Sequence, residues 1–201
     1  MPIQIQQIIK DVIEIESKSL SQLPGVIDES YEEAIKTLLS CKGKVVITGV
    51  GKSGHIGKKI AASFASTGTP AFFMHSTEGI HGDLGMVTSE DVVILISNSG
   101  ETSELLRLIP TLQVIKAKTI SITRNNSSTL AKNVDVPLEY RYTEEADHMK
   151  LAPTTSATMA LVIGDALAVT LSKVKEFDQE DFHLYHPGGS LGQQLHSLKS
   201  E

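Results

Sequence analysis

Five short runs of β-branched and aromatic residues, separated by segments with helical spacing, constrain the fold of this chain most strongly. The runs are 44–48 (KVVIT), 70–74 (PAFFM), 91–96 (DVVILI), 118–122 (KTISI) and 135–140 (DVPLEY). Continuous apolar runs are typical of strands covered on both faces, and their alternation with helices favours a parallel sheet. The sequence therefore predicts an α/β fold, a doubly wound three-layer sandwich with five parallel strands in the flavodoxin-like order 2-1-3-4-5.

Three long helices are predicted outside the alternating region. Apolar residues recur every three or four positions over about 3–20 and 28–39, with a break at Pro24-Gly25. A further helix over about 153–174 is apolar almost all round, which indicates burial against another subunit as well as against the sheet. A chain of 201 residues suits one compact unit, so we predict a single domain over 1–201 with N-terminal helices at about 3–40.

Charge and composition exclude several classes of partner. The formal net charge is −6 and no long Lys/Arg cluster occurs, so nucleic acid is not an expected partner. Cys41 is the only cysteine, which rules out an intrachain disulfide and suits a reducing compartment. The longest apolar run, MALVIGDALAVTL, contains Asp165 and is shorter than a bilayer span. We therefore expect a cytoplasmic protein without a membrane segment.

Two segments at predicted strand ends have unusual compositions. In open parallel sheets, ligands bind beyond the carboxyl ends of the strands, where neighbouring connections leave on opposite faces. The segment 49–54 (GVGKSG) follows the first strand, and the segment 97–104 (SNSGETSE) follows the third. Because the first and third strands are adjacent in the predicted order, both segments are expected to face one ligand.

The hydroxyl-rich segment 97–104 favours a phosphate. Four hydroxyl side chains and the amides of a following helix supply donors without a cation, which suits a dianionic phosphate monoester. Gly100 lets the backbone approach the ligand closely. The alternative is that Thr102 or Ser103 only caps the helix. Four hydroxyls at the end of a central strand favour phosphate; they belong to Ser97, Ser99, Thr102 and Ser103.

The segment GVGKSG also matches two nucleotide-binding patterns in part. A dinucleotide fold requires an acidic residue at the end of the second strand, but that strand is predicted to end in Met74-His75. A P-loop requires a glycine where Val46 stands. We therefore interpret Lys52 as a cation aimed at a small substrate, with a solvated loop lysine as the alternative.

Two glutamates and two pairs of histidines complete the set of candidates. Glu104 falls in the first turn of a helix, where the dipole favours its ionised form, and a capping role is the alternative. Glu145 lies in a charged loop whose composition alone indicates little. The histidines have no short zinc-binding spacing, so we expect no metal; they are His75, His81, His183 and His186.

Taken together, five motifs resemble the sugar isomerase domain of the arabinose 5-phosphate isomerases. They are GVGKSGHIG, HGDLGMV, SNSGETSE, LAPTTSATMALVIGDALAVTL and FHLYHPGGSLG, and the resemblance covers about 45–195. It implies interconversion of D-ribulose 5-phosphate and D-arabinose 5-phosphate, which feeds synthesis of the eight-carbon acid Kdo for lipopolysaccharide or capsule. It also implies a homotetramer that uses no metal or cofactor.

The resemblance assigns roles residue by residue. The catalytic positions are Lys52, Glu104, Glu145 and His186, with His186 donated across a subunit interface. Sugar hydroxyls are expected to contact His75 and His81. The phosphate-binding positions that the resemblance implies are Ser53, Ser97, Asn98, Ser99 and Thr102, and we add Gly51 of the same glycine-rich segment as a substrate-binding residue.

Two features depart from the family pattern. Members usually continue past HPGGSLG into a pair of CBS modules, whereas this sequence stops at Glu201, so we expect no CBS domains. Feedback is then expected from a downstream activated sugar that binds in the active site itself. The segment after Glu145 also lacks the Cys-Pro that is usual there.

The resemblance and the chemistry together predict a mechanism. We expect Glu104 to move a proton between two carbons through a cis-enediol, with Lys52 stabilising the enediolate. His186 is expected to transfer protons between oxygens, and Glu145 to be the reserve base. Two alternatives remain: an isomerase of a hexulose or heptulose phosphate, and a non-catalytic module that senses sugar phosphates.

Overall fold

A five-stranded parallel sheet with helices on both faces forms the centre of the molecule. The computed structural model describes residues 4–186. The strands follow the order β2-β1-β3-β4-β5, and every neighbouring pair is parallel. The predicted fold class and strand order are therefore confirmed. The strands are β1 (Val45–Gly49), β2 (Ala71–His75), β3 (Val92–Ile96), β4 (Lys118–Thr123) and β5 (Val136–Glu139).

Helices connect the strands and cover the sheet. The first two, α1 and α2, precede β1, and α8 follows β5; all three lie within two residues of the predicted bounds, as expected for helix ends. Short 3₁₀ turns occur at Leu23–Val26 and Asp83–Met86. The helices are α1 (Ile5–Gln22), α2 (Glu29–Leu39), α3 (Gly51–Ser66), α4 (Ser76–Ile80), α5 (Ser103–Leu106), α6 (Ile109–Ile115), α7 (Thr129–Lys132), α8 (Thr155–Val174) and α9 (Gln179–Tyr185).

The continuous apolar runs of β1 and β3 are explained by burial on both faces. All five residues of each strand are buried. Because successive side chains alternate between faces, Val45 and Ile47 enter the core on one side, and Val46 enters the core on the other. The edge strand β5 alternates between buried and half-buried positions instead. Burial thus fixes β1 and β3 at the centre, which brings their carboxyl ends side by side.

Helix α8 lies in one of these cores. Met159, Ile163 and Leu167 are buried, whereas Val169 on the opposite side is 60% exposed. Gly164 permits close contact with α3, because a Cβ there would lie only 2.3 Å from Ile60 Cδ1. This packing holds the middle of α8 against the second half of α3.

The length of α8 corrects one expectation from the sequence. Within residues 4–186 it is the one helix whose 20-residue length and composition would suffice to cross a bilayer. The run MALVIGDALAVTL, which we judged too short for a span, is only part of this helix. The core helix of a soluble protein has the same length and composition. With nine of its residues buried in the fold, α8 is weak evidence for a membrane span.

Candidate active site

The segment after β1 forms a helix start rather than the expected loop. Helix α3 begins at Gly51, whose φ is +57°, so Lys52 and Ser53 lie in its first turn. The preceding Val50 makes no side-chain cap. The first amides of a helix have no partner within the helix, and together they attract anions. Lys52 therefore lies in the first turn of a helix and not in a glycine loop.

The segment after β3 is held by hydrogen bonds between its own side chains and backbone. Ser97 Oγ and Thr102 Oγ1 are 2.8 Å apart, and Ser97 Oγ also accepts the Gly100 N–H at 3.0 Å. Ser99 Oγ accepts the Glu101 N–H at 3.1 Å. Thr102 stands at the N-cap position of α5, but its side chain makes no cap bond. The Thr102 hydroxyl therefore does not cap α5, in contrast to the alternative considered from the sequence.

Helix α7 fixes the same segment from the outside. The Leu130 N–H donates to the Gly100 carbonyl at 3.0 Å, and the Thr129 N–H donates to Glu101 Oε1 at 2.7 Å. Gly100 has φ +69°, and a Cβ there would lie 2.1 Å from Ser128 Oγ. Both the backbone conformation and the space therefore require glycine. These contacts with α7 hold the loop in its conformation.

A cavity of about 120 Å³ joins the two segments. Lys52 and Ser53 reach it from α3, and Asn98 reaches it from the loop after β3. The two segments meet at this cavity through these three residues, whereas Gly51, Ser97, Ser99, Thr102 and Glu104 do not line it. The remaining lining residues come mainly from α8 and the end of β5; they are Val50, Ile56, Tyr140, Pro153, Ser156, Ala157 and Ala160.

Glu104 lies in the first turn of α5, near His75. Its carboxylate accepts a hydrogen bond from Ser103 Oγ at 2.9 Å. Its own backbone N–H, then Ser103, and to a lesser degree the charges of Arg107 and His75, hold the pKa of Glu104 below its usual value of 4.5. The carboxylate is thus ionised at neutral pH, as a general base must be.

Two of the predicted site histidines lie at or just beyond the end of β2. His75 is the last residue of this strand and pairs with Gly49 of β1 in the sheet register. Its Nδ1 accepts the Thr77 N–H at 3.3 Å, so in the neutral ring Nε2 carries the proton. His81 follows α4 and is exposed. Neither ring lines the Lys52 cavity.

Glu145 is a buried carboxylate, 8% exposed, with both oxygens engaged. Oε2 accepts the backbone N–H groups of Thr154 and Ser156 at 2.9 and 3.1 Å, and Oε1 accepts the Tyr142 hydroxyl at 2.9 Å. Burial raises the pKa of Glu145, but hydrogen bonds from Ser156, Thr154 and Tyr142 outweigh it and keep the pKa below 4.5. Sequence reasoning found the residue and missed this anchorage.

His186 makes its contacts with its own helix. Its ring stacks on Phe182 with centroids 3.8 Å apart, and Nδ1 lies 2.8 Å from the Phe182 carbonyl oxygen. It does not line the Lys52 cavity in this chain. Its predicted donation to another subunit stays a prediction. The rest of the HPGGSLG motif, from Pro187, lies outside the described residues.

Between residues 4 and 186, no group of three or more His, Cys, Asp or Glu side chains is arranged to hold a metal ion. The donors around the cavity are instead hydroxyls, amides and one ammonium group. Such a set is suited to an anion.

Comparison with known proteins assigns the class. The sequence model of the SIS domain matches residues 38–170, so the chain belongs to the SIS domain family. The resemblance to the arabinose 5-phosphate isomerases is confirmed: over 193 residues the chain is 53% identical to arabinose 5-phosphate isomerase KdsD of Yersinia pestis. That match covers 96% of this chain and 59% of the relative.

Two further relatives come from Escherichia coli CFT073. Arabinose 5-phosphate isomerase KpsF is 47% identical over 188 residues, which cover 93% of this chain and 58% of KpsF. A structure from the same strain, in complex with arabinose 5-phosphate, has a TM-score of 0.89 and 49% identity, and the match covers 93% of this chain and 100% of that one. The chain thus spans about three fifths of the curated relatives that it matches.

Proposed function

We propose that this chain is an aldose-ketose isomerase that interconverts D-ribulose 5-phosphate and D-arabinose 5-phosphate. The observation that carries the proposal is the cavity in which Lys52 and Ser53 meet Asn98 at the carboxyl ends of β1 and β3. The ammonium group of Lys52 beside an anion site suits stabilisation of negative charge on a sugar phosphate, and the ionised Glu104 at the start of α5 is the candidate base. The 53% identity to KdsD of Yersinia pestis supports the choice of substrate.

The phosphate is held between the start of α3 and the loop after β3. Ser53 and the Asn98 side chain line the cavity. The other proposed donors are the first-turn amides beginning at Gly51 and the hydroxyls of the adjoining loop, Ser97, Ser99 and Thr102. The contacts of this loop with α7 are made by residues outside the proposed donor set, so they leave the hydroxyls available to the phosphate.

Glu104 is the base in the proposed reaction. It removes the proton from C2 of the open-chain aldose, and the electrons of that C–H bond form the C1–C2 double bond while O1 becomes negative. Lys52 stabilises this charge. His186 transfers a proton from O2 to O1, and Glu104 returns its proton to C1, which yields the ketose. His75 and His81 bind sugar hydroxyls.

Glu145 is a less favourable base than Glu104 because both of its oxygens already accept hydrogen bonds, and we keep it as the reserve base. A carboxylate that accepts hydrogen bonds from Thr154, Ser156 and Tyr142 has a lowered pKa and loses those bonds on protonation. Among residues 4–186, Glu104 accepts one hydrogen bond from another side chain, that of Ser103, and it is more exposed than Glu145. The geometry therefore favours Glu104.

Incubation with D-ribulose 5-phosphate in D₂O tests the function. We expect an aldose 5-phosphate that carries solvent deuterium on the carbon next to the carbonyl, because the enediol exchanges its proton with the base. A sensing module would give neither product nor exchange. Parallel assays with hexulose 6-phosphate and heptulose 7-phosphate should give lower kcat/KM values; a higher value for either would replace the proposed substrate.

The assembly is proposed to be a homotetramer in which His186 reaches the site of a neighbouring subunit. Mixing His186→Ala subunits with Lys52→Met subunits tests this. At equal amounts and random assembly, about a quarter of the sites would combine an intact Lys52 with an intact neighbouring His186, so activity should recover to about a quarter of wild type. Recovery would fail if His186 served its own subunit.

The cellular setting follows from the proposed reaction. The product would supply Kdo synthesis for lipopolysaccharide or capsule in the cytoplasm, with no metal or cofactor and no CBS modules over 1–201. A downstream activated sugar is the proposed feedback ligand, and it would compete with substrate at the Lys52 cavity.

A further inference from the structure

A chain of hydrogen bonds links Glu145 to the phosphate loop. The Tyr142 hydroxyl donates to Glu145 Oε1 at 2.9 Å, and Asn98 Nδ2 donates to the Tyr142 oxygen at 2.9 Å. The Tyr140 hydroxyl then donates to Asn98 Oδ1 at 2.9 Å. Four side chains from the loop after β3 and from the segment after β5 thus form one connected series.

The charge of Glu145 fixes the direction of this series. An ionised carboxylate only accepts hydrogen bonds, so the single hydroxyl hydrogen of Tyr142 points to Glu145. The Tyr142 oxygen can then only accept, which it does from Asn98 Nδ2 and from Arg124 Nη1 at 3.2 Å. A reversed Asn98 amide would put two acceptors together with no hydrogen between them. Asn98 Oδ1 must therefore face Tyr140.

Packing keeps water away from much of this series. Tyr140 is 1% exposed and Glu145 is 8% exposed. The rings of Tyr140 and Tyr142 stack with centroids 6.1 Å apart, and the Arg124 guanidinium lies 5.1 Å from the centre of the Tyr142 ring. Reversing the amide would leave buried polar atoms unpaired, which is costly in a low-dielectric environment.

We propose that Glu145, acting through Tyr142, is a positioning residue that orients the Asn98 amide toward the bound phosphate. Asn98 lines the cavity with Lys52 and Ser53, and no second partner of Nδ2 is found within the described residues. The remaining N–H of the amide is presented to the anion, and the carbonyl oxygen is kept away from it. The inference rests on the proposed phosphate site and not on the isomerase reaction.

Tyr142→Phe tests the proposal, with the dissociation constant of inorganic phosphate as the readout, measured by titration calorimetry. Losing the hydroxyl removes the fixed partner of Nδ2, and we expect phosphate to bind about tenfold more weakly, as is typical for one hydrogen bond to a charged group. The KM for the sugar phosphate should rise by a similar factor while kcat changes by about twofold or less. An unchanged phosphate affinity would overturn the proposal.

Tyr31→Phe is the matched control. This tyrosine is buried, and its hydroxyl donates to the Glu139 carbonyl at 2.8 Å, so it is not a member of the series that ends at Asn98. The Tyr31→Phe variant should lose about as much free energy of unfolding as Tyr142→Phe, with no change in phosphate affinity. If both variants weaken phosphate binding equally, the effect belongs to general destabilisation and the proposal fails.

A double-variant cycle isolates the route through Asn98. On an Asn98→Ala background, Tyr142→Phe should weaken phosphate binding no further, because the group that Tyr142 positions is gone. Additive losses would contradict the proposal. Glu145→Gln should weaken phosphate binding as Tyr142→Phe does. Phosphate binding is measured without turnover. Failure of the wild-type chain to isomerise in D₂O would therefore contradict the proposed function without contradicting this inference.

Discussion

Glu104→Gln is expected to lower kcat by about 10²- to 10⁴-fold, the usual contribution of a general base. Glutamine keeps the shape of the side chain and an acceptor for the Ser103 hydroxyl, but it cannot take a proton from carbon. The KM should change little because Glu104 is not a phosphate ligand in the proposed site. Initial rates with D-arabinose 5-phosphate measure both constants.

Glu78→Gln is the control for this substitution. Glu78 is exposed and lies in the first turn of α4. Like α5, which carries Glu104, α4 is a short helix beyond the carboxyl end of a strand. Its replacement removes one charge at the same edge of the sheet and should leave kcat near the wild-type value. A large loss in Glu145→Gln with unchanged phosphate affinity, together with normal turnover in Glu104→Gln, would assign the base to Glu145.

Lys52→Met is expected to lower kcat by about 10²- to 10³-fold, as loss of one stabilising group at a developing oxyanion does. The first turn of α3 holds Lys52 at the cavity, and methionine keeps much of the side-chain length without the charge. Phosphate affinity should fall less than kcat, because the hydroxyls and amides remain. Steady-state kinetics and inhibition by inorganic phosphate separate the two effects.

Lys58→Met controls for the loss of a positive charge from the same helix. Lys58 is exposed, and its ammonium lies 5.6 Å from the centre of the Phe73 ring, outside the cavity lining. We expect near-normal kinetics. If Lys52→Met loses phosphate affinity alone and keeps its kcat, Lys52 is a binding residue and another group stabilises the enediolate.

Local sequence patterns determined most of the fold. The strands were predictable because doubly buried strands require uninterrupted apolar runs, as in β1 and β3. The start of α3 was not predictable from the sequence, because Gly-Lys-Ser-Gly contains few strong helix formers. Gly51 begins the helix with a positive φ, and the burial of Gly54, Gly57 and Ile60 stabilises it through tertiary packing.

Long-range contacts explain what the sequence did not reveal about the site. Lys52, Ser53 and Asn98 were predictable because each follows the end of a central strand. The anchorage of Glu145 depends on α8 beginning close to the end of β5, a distance that spacing along the chain does not encode. Alternating tyrosines in EYRYTEE were the available signal for the link to Asn98.

A crystal structure of Glu104→Gln with bound D-arabinose 5-phosphate is the most direct test of the proposed site. The phosphate should lie between the first turn of α3 and the hydroxyls of Ser97 and Thr102. The side chain at position 104 and the Lys52 ammonium should then lie within about 3.5 Å of C1, C2 or their oxygens. A phosphate bound elsewhere, or reacting carbons remote from both side chains, would contradict the proposed chemistry.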